Sequence, residues 1–130
     1  MLEHMLLPPT RTWPDEVEKL AEALLDGADG RREVEAGLSL LFYEGRLFHR
    51  ADIRTRYMVE HGPKTADVNW QMLFEERYSL PLSREERGLL ALACSMGDHA
   101  VRINLPTELA SLGTANTRHF LDVIRHMAGR

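Results

Sequence analysis

Cysteine is nearly absent from this chain: Cys94 is the only one among 130 residues, so no intrachain disulfide and no cysteine-rich zinc site can form. A reducing cytoplasm is the compartment this predicts. Lysine is almost as scarce, with Lys19 and Lys64 the only two and arginine supplying the other bases. Long apolar runs are missing too. Residues 1–9 are largely apolar, but Glu3 interrupts them, no Lys or Arg precedes Leu6 and Leu7, and the run is too short for a signal-peptide core or a membrane span. They are expected to form a tail, 1–11, packed at an interface. The chain also lacks repeats, low-complexity tracts, long linkers and a Gly-rich phosphate cradle, which removes solenoids and nucleotide-loop proteins from consideration. No cofactor is expected.

What is present describes an ordinary folded domain. Hydrophobic residues make up 44% and charged residues 28%, unlike the high-charge, low-hydrophobicity signature of disorder. At this length a single domain over 12–130 can bury a core without metal or disulfide support. The net charge of −4 argues against a general attraction to nucleic acid or to an anionic membrane, and it conceals an asymmetry. Residues 1–45 carry ten acids against four bases, net −6, whereas residues 46–130 carry twelve bases against ten acids, net +2. An anion-binding surface should therefore lie in the later part.

Apolar periodicity predicts a mainly α fold, a compact bundle of about six short helices around a central apolar helix at 83–96, leaving room for a minor short strand pair. Thr12 can cap a first helix with Pro14 in its first turn, Asp15 and Glu16 at the positive dipole end, and Gly27 as its stop; Val17, Leu20, Ala21 and Leu24 face inward. A second helix from about Arg32 buries Val34, Leu38, Leu41 and Phe42 and ends at Gly45. For 46–61, a short helix with Ile53 and Tyr57 inward and then an irregular turn is favoured over a strand turning at Gly62 and Pro63. Asp67 can cap the next helix. Ser83 and Glu86 match a capping box, and residues 89–96 behind them are apolar on nearly every side, so other elements must enclose them before Gly97. Val101 to Asn104 alternates weakly as a short strand would. A turn of helix from Pro106 stops at Gly113, and a last helix, capped by Thr114 or Asn116, buries Phe120, Val123, Ile124 and Met127.

The order of Arg50-Ala51-Asp52, Val68-Asn69-Trp70, then Glu85, Arg87, Leu90, Ala91, Ala93 and Ser95, then Leu112 and Asn116, resembles a group of small uncharacterised actinobacterial proteins. The resemblance spans the second helix to the C-terminus and rests mostly on helix and core residues. It implies a cytoplasmic bacterial protein and carries over no functional residue.

Four constellations carry chemistry, each against a plainer alternative. His119, Asp122 and His126, spaced three and four apart on one side of the last helix, can bind zinc, nickel or ferrous iron; Arg118 and Arg125 on the same side oppose a cation and favour a solvated face. Residues 105–113 and 116–127 can form a helix-turn-helix presenting Arg118, His119, Arg125 and His126 to a major groove, with Arg46, Arg50, Arg54 and Arg56 on phosphates. The turn between them is one residue shorter than the familiar pattern, and the acidic first third would repel a duplex. Cys94 with Asp98 and His99 is a nucleophile-and-base spacing, but Cys94 lies in the apolar run, where a thiol is an inert hydrophobe. Arg50 and Arg54, with His49 and Asp52 nearby, can hold a phosphate or carboxylate, or simply form a solvated face. Core packing is the expected use of Trp13, Trp70, Tyr43, Tyr57 and Tyr78. No nucleophile, base and oxyanion donor occur together, so a non-catalytic protein-interaction module, self-associating or binding another protein, is expected ahead of a DNA-binding regulator and of a metal- or small-ligand protein.

Overall fold

The computed structural model describes residues 13–44 and 46–129. The chain is mainly α: eight α-helices and one two-stranded sheet enclose a single hydrophobic core among these residues. The expected tail, the Thr12 cap and the Gly45 stop lie outside the described residues.

Helix α1 (Asp15–Ala28) begins at Pro14 without a side-chain cap, and Val17, Ala21, Leu24, Leu25 and Ala28 form its buried stripe. It does not stop at Gly27. The turn comes at Asp29, in the left-handed region (φ 52°), and Gly30 follows with φ 76°. Gly27 serves a different purpose, because a Cβ there would strike the Ala66 carbonyl; its absence lets a strand lie directly against the helix.

Helix α2 (Arg32–Glu44) is more enclosed than a single stripe predicts. Val34, Ala36, Leu38, Ser39, Leu40, Leu41 and Phe42 are all buried, so α2 shares the centre of the bundle with α6. Short helices α3 (Arg46–His49) and α4 (Ala51–Tyr57) follow, with Leu47, Phe48, Ile53 and Tyr57 inside. Trp13, Phe42 and Phe48 pack as an aromatic trio with ring centroids 4.7–5.5 Å apart.

After α4 the chain forms a hairpin and not the irregular turn expected from the sequence. Strands β1 (Met58–Glu60) and β2 (Ala66–Val68) pair antiparallel, Met58 opposite Val68 and Glu60 opposite Ala66. Gly62 (φ 81°) makes the turn, and the His61 N–H donates to the Thr65 carbonyl at 2.8 Å. Asp67 is thereby in a strand, 3.0 Å from His61, and cannot cap the next helix. Asn69 takes that role for α5 (Trp70–Glu75), its side chain accepting from the Met72 N–H at 3.1 Å. A 3₁₀ turn, Arg77–Ser79, leads on.

Helix α6 (Arg84–Gly97) has the expected capping box, Glu86 N–H to Ser83 Oγ at 3.1 Å and Ser83 N–H to Glu86 Oε1 at 2.8 Å. Its residues from Gly88 to Cys94 are all buried. Val101 to Asn104 is irregular rather than a strand; the Asn104 side chain accepts from the Thr107 N–H and caps α7 (Leu105–Ala110). Helix α8 (Thr114–Met127) starts at Gly113 with no side-chain cap, so neither Thr114 nor Asn116 serves as one. No helix among the described residues is long and apolar enough to cross a membrane.

Candidate functional site

The feature that distinguishes the C-terminal part is how α8 is held on one side and left open on the other. Its inner face buries His119, Phe120 and Val123 against α2. His119 is 3% exposed, stacks on Tyr43 with ring centroids 3.6 Å apart at 14°, and lies with Nε2 3.3 Å from the Ser39 carbonyl. Burial lowers its pKa from the usual 6.5, so at neutral pH it is an uncharged ring with Nε2–H donating to that carbonyl. At the far end Arg32 Nη1 donates to the Met127 carbonyl at 3.3 Å.

A carboxylate from α6 anchors the start of α8. Glu85 Oε2 accepts from the Gly113 N–H and, at 2.9 Å, from Asn116 Nδ2, so an acid sits beside the positive end of the helix. Gly88 leaves room for Ser111, whose hydroxyl donates to the Glu108 carbonyl at 2.6 Å and tightens the turn between α7 and α8. Clamped this way, α8 turns Thr114, Thr117, Arg118 and Leu121 outward. With Leu112 they line an open groove of about 390 Å³. Leu121 is 54% exposed, and Arg118 makes no hydrogen bond or ion pair with any described residue.

The proposed metal face is not assembled. His119 points into the core, Asp122 lies 3.6 Å from Arg125, and His126 is exposed. Among the described residues no group of three His, Cys, Asp or Glu could hold a metal. The spacing was correct for one side of a helix, but that side is divided between the core and solvent.

The arginines expected to hold an anion are engaged with the protein itself. Arg50 grips Asp52 with two bonds, 2.7 and 3.1 Å; the pairing raises the arginine pKa and lowers that of the acid. Arg54 Nη1 donates to the Phe48 carbonyl at 2.6 Å. Arg56 binds Glu76 through two bonds, 2.7 and 3.2 Å, and Tyr57 OH donates to the same carboxylate at 2.8 Å; Arg56 first and Tyr57 second hold Glu76 below its usual pKa. Arg46 is also partnered. Arg54 and Arg56 border a second hollow of about 520 Å³ with Leu20, Thr55, Met58, Val59 and Glu60, of mixed charge. Of the six arginines, Arg118 alone is exposed and without a partner among the described residues.

Cys94 is fully buried, burial pushes its thiol pKa far up, and His99 sits exposed in a turn, so the two do not form a catalytic pair. Trp70 and Tyr57 are core residues as expected, but Tyr78 is not: it is 71% exposed beside Arg77 and Arg87. Sequence reasoning missed this cluster, the Glu85 clamp and Leu121. Leu121 alone left a signal, an apolar residue seven positions after Thr114 and outside the buried stripe of its helix.

No protein-family model, curated protein or solved structure matches the chain.

Proposed function

We propose that this chain is a non-catalytic helical protein-interaction module whose contact surface is the outer side of α8 with the turn before it. The single observation that supports this reading most is Leu121, more than half exposed in a groove next to the unpaired Arg118 on a helix fastened at both ends. Covering a leucine side chain stabilises a complex by roughly 2 kcal/mol, and an arginine beside it supplies direction through its planar fork of donors. A surface already rigid in the free protein loses little freedom on binding. The shallow, open groove suits a helix or extended segment of another protein better than a small molecule.

The nucleic-acid reading has less support. On the outward face of α8, Leu121 and Asp122 interrupt the cations, His119 is turned inward, and Arg125 neighbours Asp122. The test is affinity capture from a lysate of the native host with wild-type protein and with Leu121→Asp, with and without nuclease. Partners that survive nuclease and fall about tenfold with Leu121→Asp, a loss of about 1.4 kcal/mol, are expected. Partners that vanish with nuclease, or that ignore the substitution, would overturn the reading.

A further inference from the structure

Two surfaces away from the α8 groove carry unspent charge of opposite sign. One is the aromatic and cationic cluster at the 3₁₀ turn. The Arg77 guanidinium lies 3.8 Å from the Phe74 ring centroid and 4.5 Å from that of Tyr78, and Arg87 approaches the Tyr78 ring at 5.6 Å. Each guanidinium is steadied by one backbone carbonyl, Arg77 Nη1 on Phe74 at 2.7 Å and Arg87 Nη1 on Leu82 at 2.8 Å. Neither has a described carboxylate within ion-pair distance. Of the acids near them in sequence, Glu76 is committed to Arg56 and Tyr57, Glu85 to Gly113 and Asn116, and Glu86 to the Ser83 N–H, while the exposed Glu75 forms no ion pair with either arginine. Held cations with free donors around a largely exposed tyrosine have the composition of an interface hot spot.

The complementary surface is α1. Asp15, Glu22 and Asp26 lie at helical spacing along its exposed side with Glu16 beside them; Lys19, four residues after Asp15 and three before Glu22, falls in the same row and leaves that side net acidic, four acids against one base. No cation pairs with these four acids among the described residues. Asp26 lies in the last turn, where the helix dipole disfavours an acid and no base stands within the turn. Arg31 covers the Ala28 and Gly27 carbonyls, at 2.9 and 3.1 Å, and leaves the carboxylates free.

We propose that the chain self-associates through these surfaces, the Arg77–Tyr78–Arg87 cluster of one copy receiving the acidic side of α1 of a second copy. Each surface is the charge complement of the other, and both belong to the same sequence. Reciprocal docking closes a two-fold dimer; one-way docking extends into an open chain, and the measured mass tells these apart.

The experiment is sedimentation velocity over a concentration series, in about 20 mM and about 500 mM sodium chloride. Wild-type protein is expected to exceed the monomer mass at low salt, with its association weakened at least about tenfold at high salt. Glu22→Arg with Asp26→Arg, and separately Arg77→Glu with Arg87→Glu, should each sediment as monomers. Mixing the two variants should restore association, since every contact between them pairs opposite charges. Circular dichroism checks folding, and Tyr78→Ala at its exposed site gives an independent weakening should the arginine variant not fold. A wild-type monomer throughout the series at low salt would overturn the proposal, as would α1-variant association equal to wild type or a mixture of folded variants that stays monomeric. Leu121→Asp separates this contact from the α8 groove: self-association should persist in it, and its loss would place the contact at the groove instead.

Discussion

Helices α6 and α8 are both 14 residues long and yet do opposite things. Helix α6 opens with a complete capping box and is buried without a break from Gly88 to Cys94. Helix α8 has no side-chain cap of its own, borrows a carboxylate from α6, buries three residues, packs Ile124 and Met127 partly against the core, and presents a row that includes Thr114, Arg118, Leu121 and Arg125. The enclosed stretch of α6 from Gly88 to Cys94 has no surface with which to meet a partner and leaves only the ends of that helix to do so, whereas α8, clamped at its ends, has one face free along its length. The difference separates what holds the fold from what is offered to other molecules.

That contrast can be broken at α6 first. Leu90→Ala should cost about 3 kcal/mol, through lost transfer energy and the cavity left in a close-packed centre, seen as an earlier denaturation midpoint at unchanged slope. Ser83→Ala should cost about 1 kcal/mol, because the Glu86 N–H loses its acceptor. If both were silent, α6 would not be the structural centre.

The seam between α8 and α2 gives a pH signature. His119 is held neutral by burial, with a folded pKa below the ordinary 6.5. Above that value neither state is protonated and the group contributes nothing. As pH falls through 6.5 the unfolded chain binds a proton that the folded one refuses, so stability declines until the folded pKa is reached. Urea unfolding at about pH 7.5 and about pH 5.5 should show this decline, and His119→Phe, which can keep the stack on Tyr43, should flatten it. A slope that survives the substitution would remove His119 as its source.

Much of the fold was legible because its signals are local. Ser83 with Glu86 announces a helix start whatever surrounds it, and the inward residues of α1, α4 and α6 lie at helical spacing. What was illegible depends on distant partners. Gly27 reads as a helix stop until Ala66 is seen against it, and Asp67 reads as a cap until the hairpin draws it toward His61. The same limit governed the site. Periodicity places His119, Asp122 and His126 together, but only the position of α2 shows that His119 belongs to the core. Arg50, Arg54 and Arg56 look available in sequence because Asp52, the Phe48 carbonyl and Glu76 are acceptors that a one-dimensional pattern does not connect to them.

The smallest expected effect on stability belongs to Leu121→Asp, within about 0.5 kcal/mol because the side chain is largely in water already. Melting temperature and capture of protein partners, measured on one preparation beside wild type, separate a binding surface on α8 from the core beneath it. The melting temperature should stay unchanged while partner yield falls about tenfold. An unchanged yield, or a melting temperature that falls together with it, would contradict the claim that α8 holds a binding surface separable from the core.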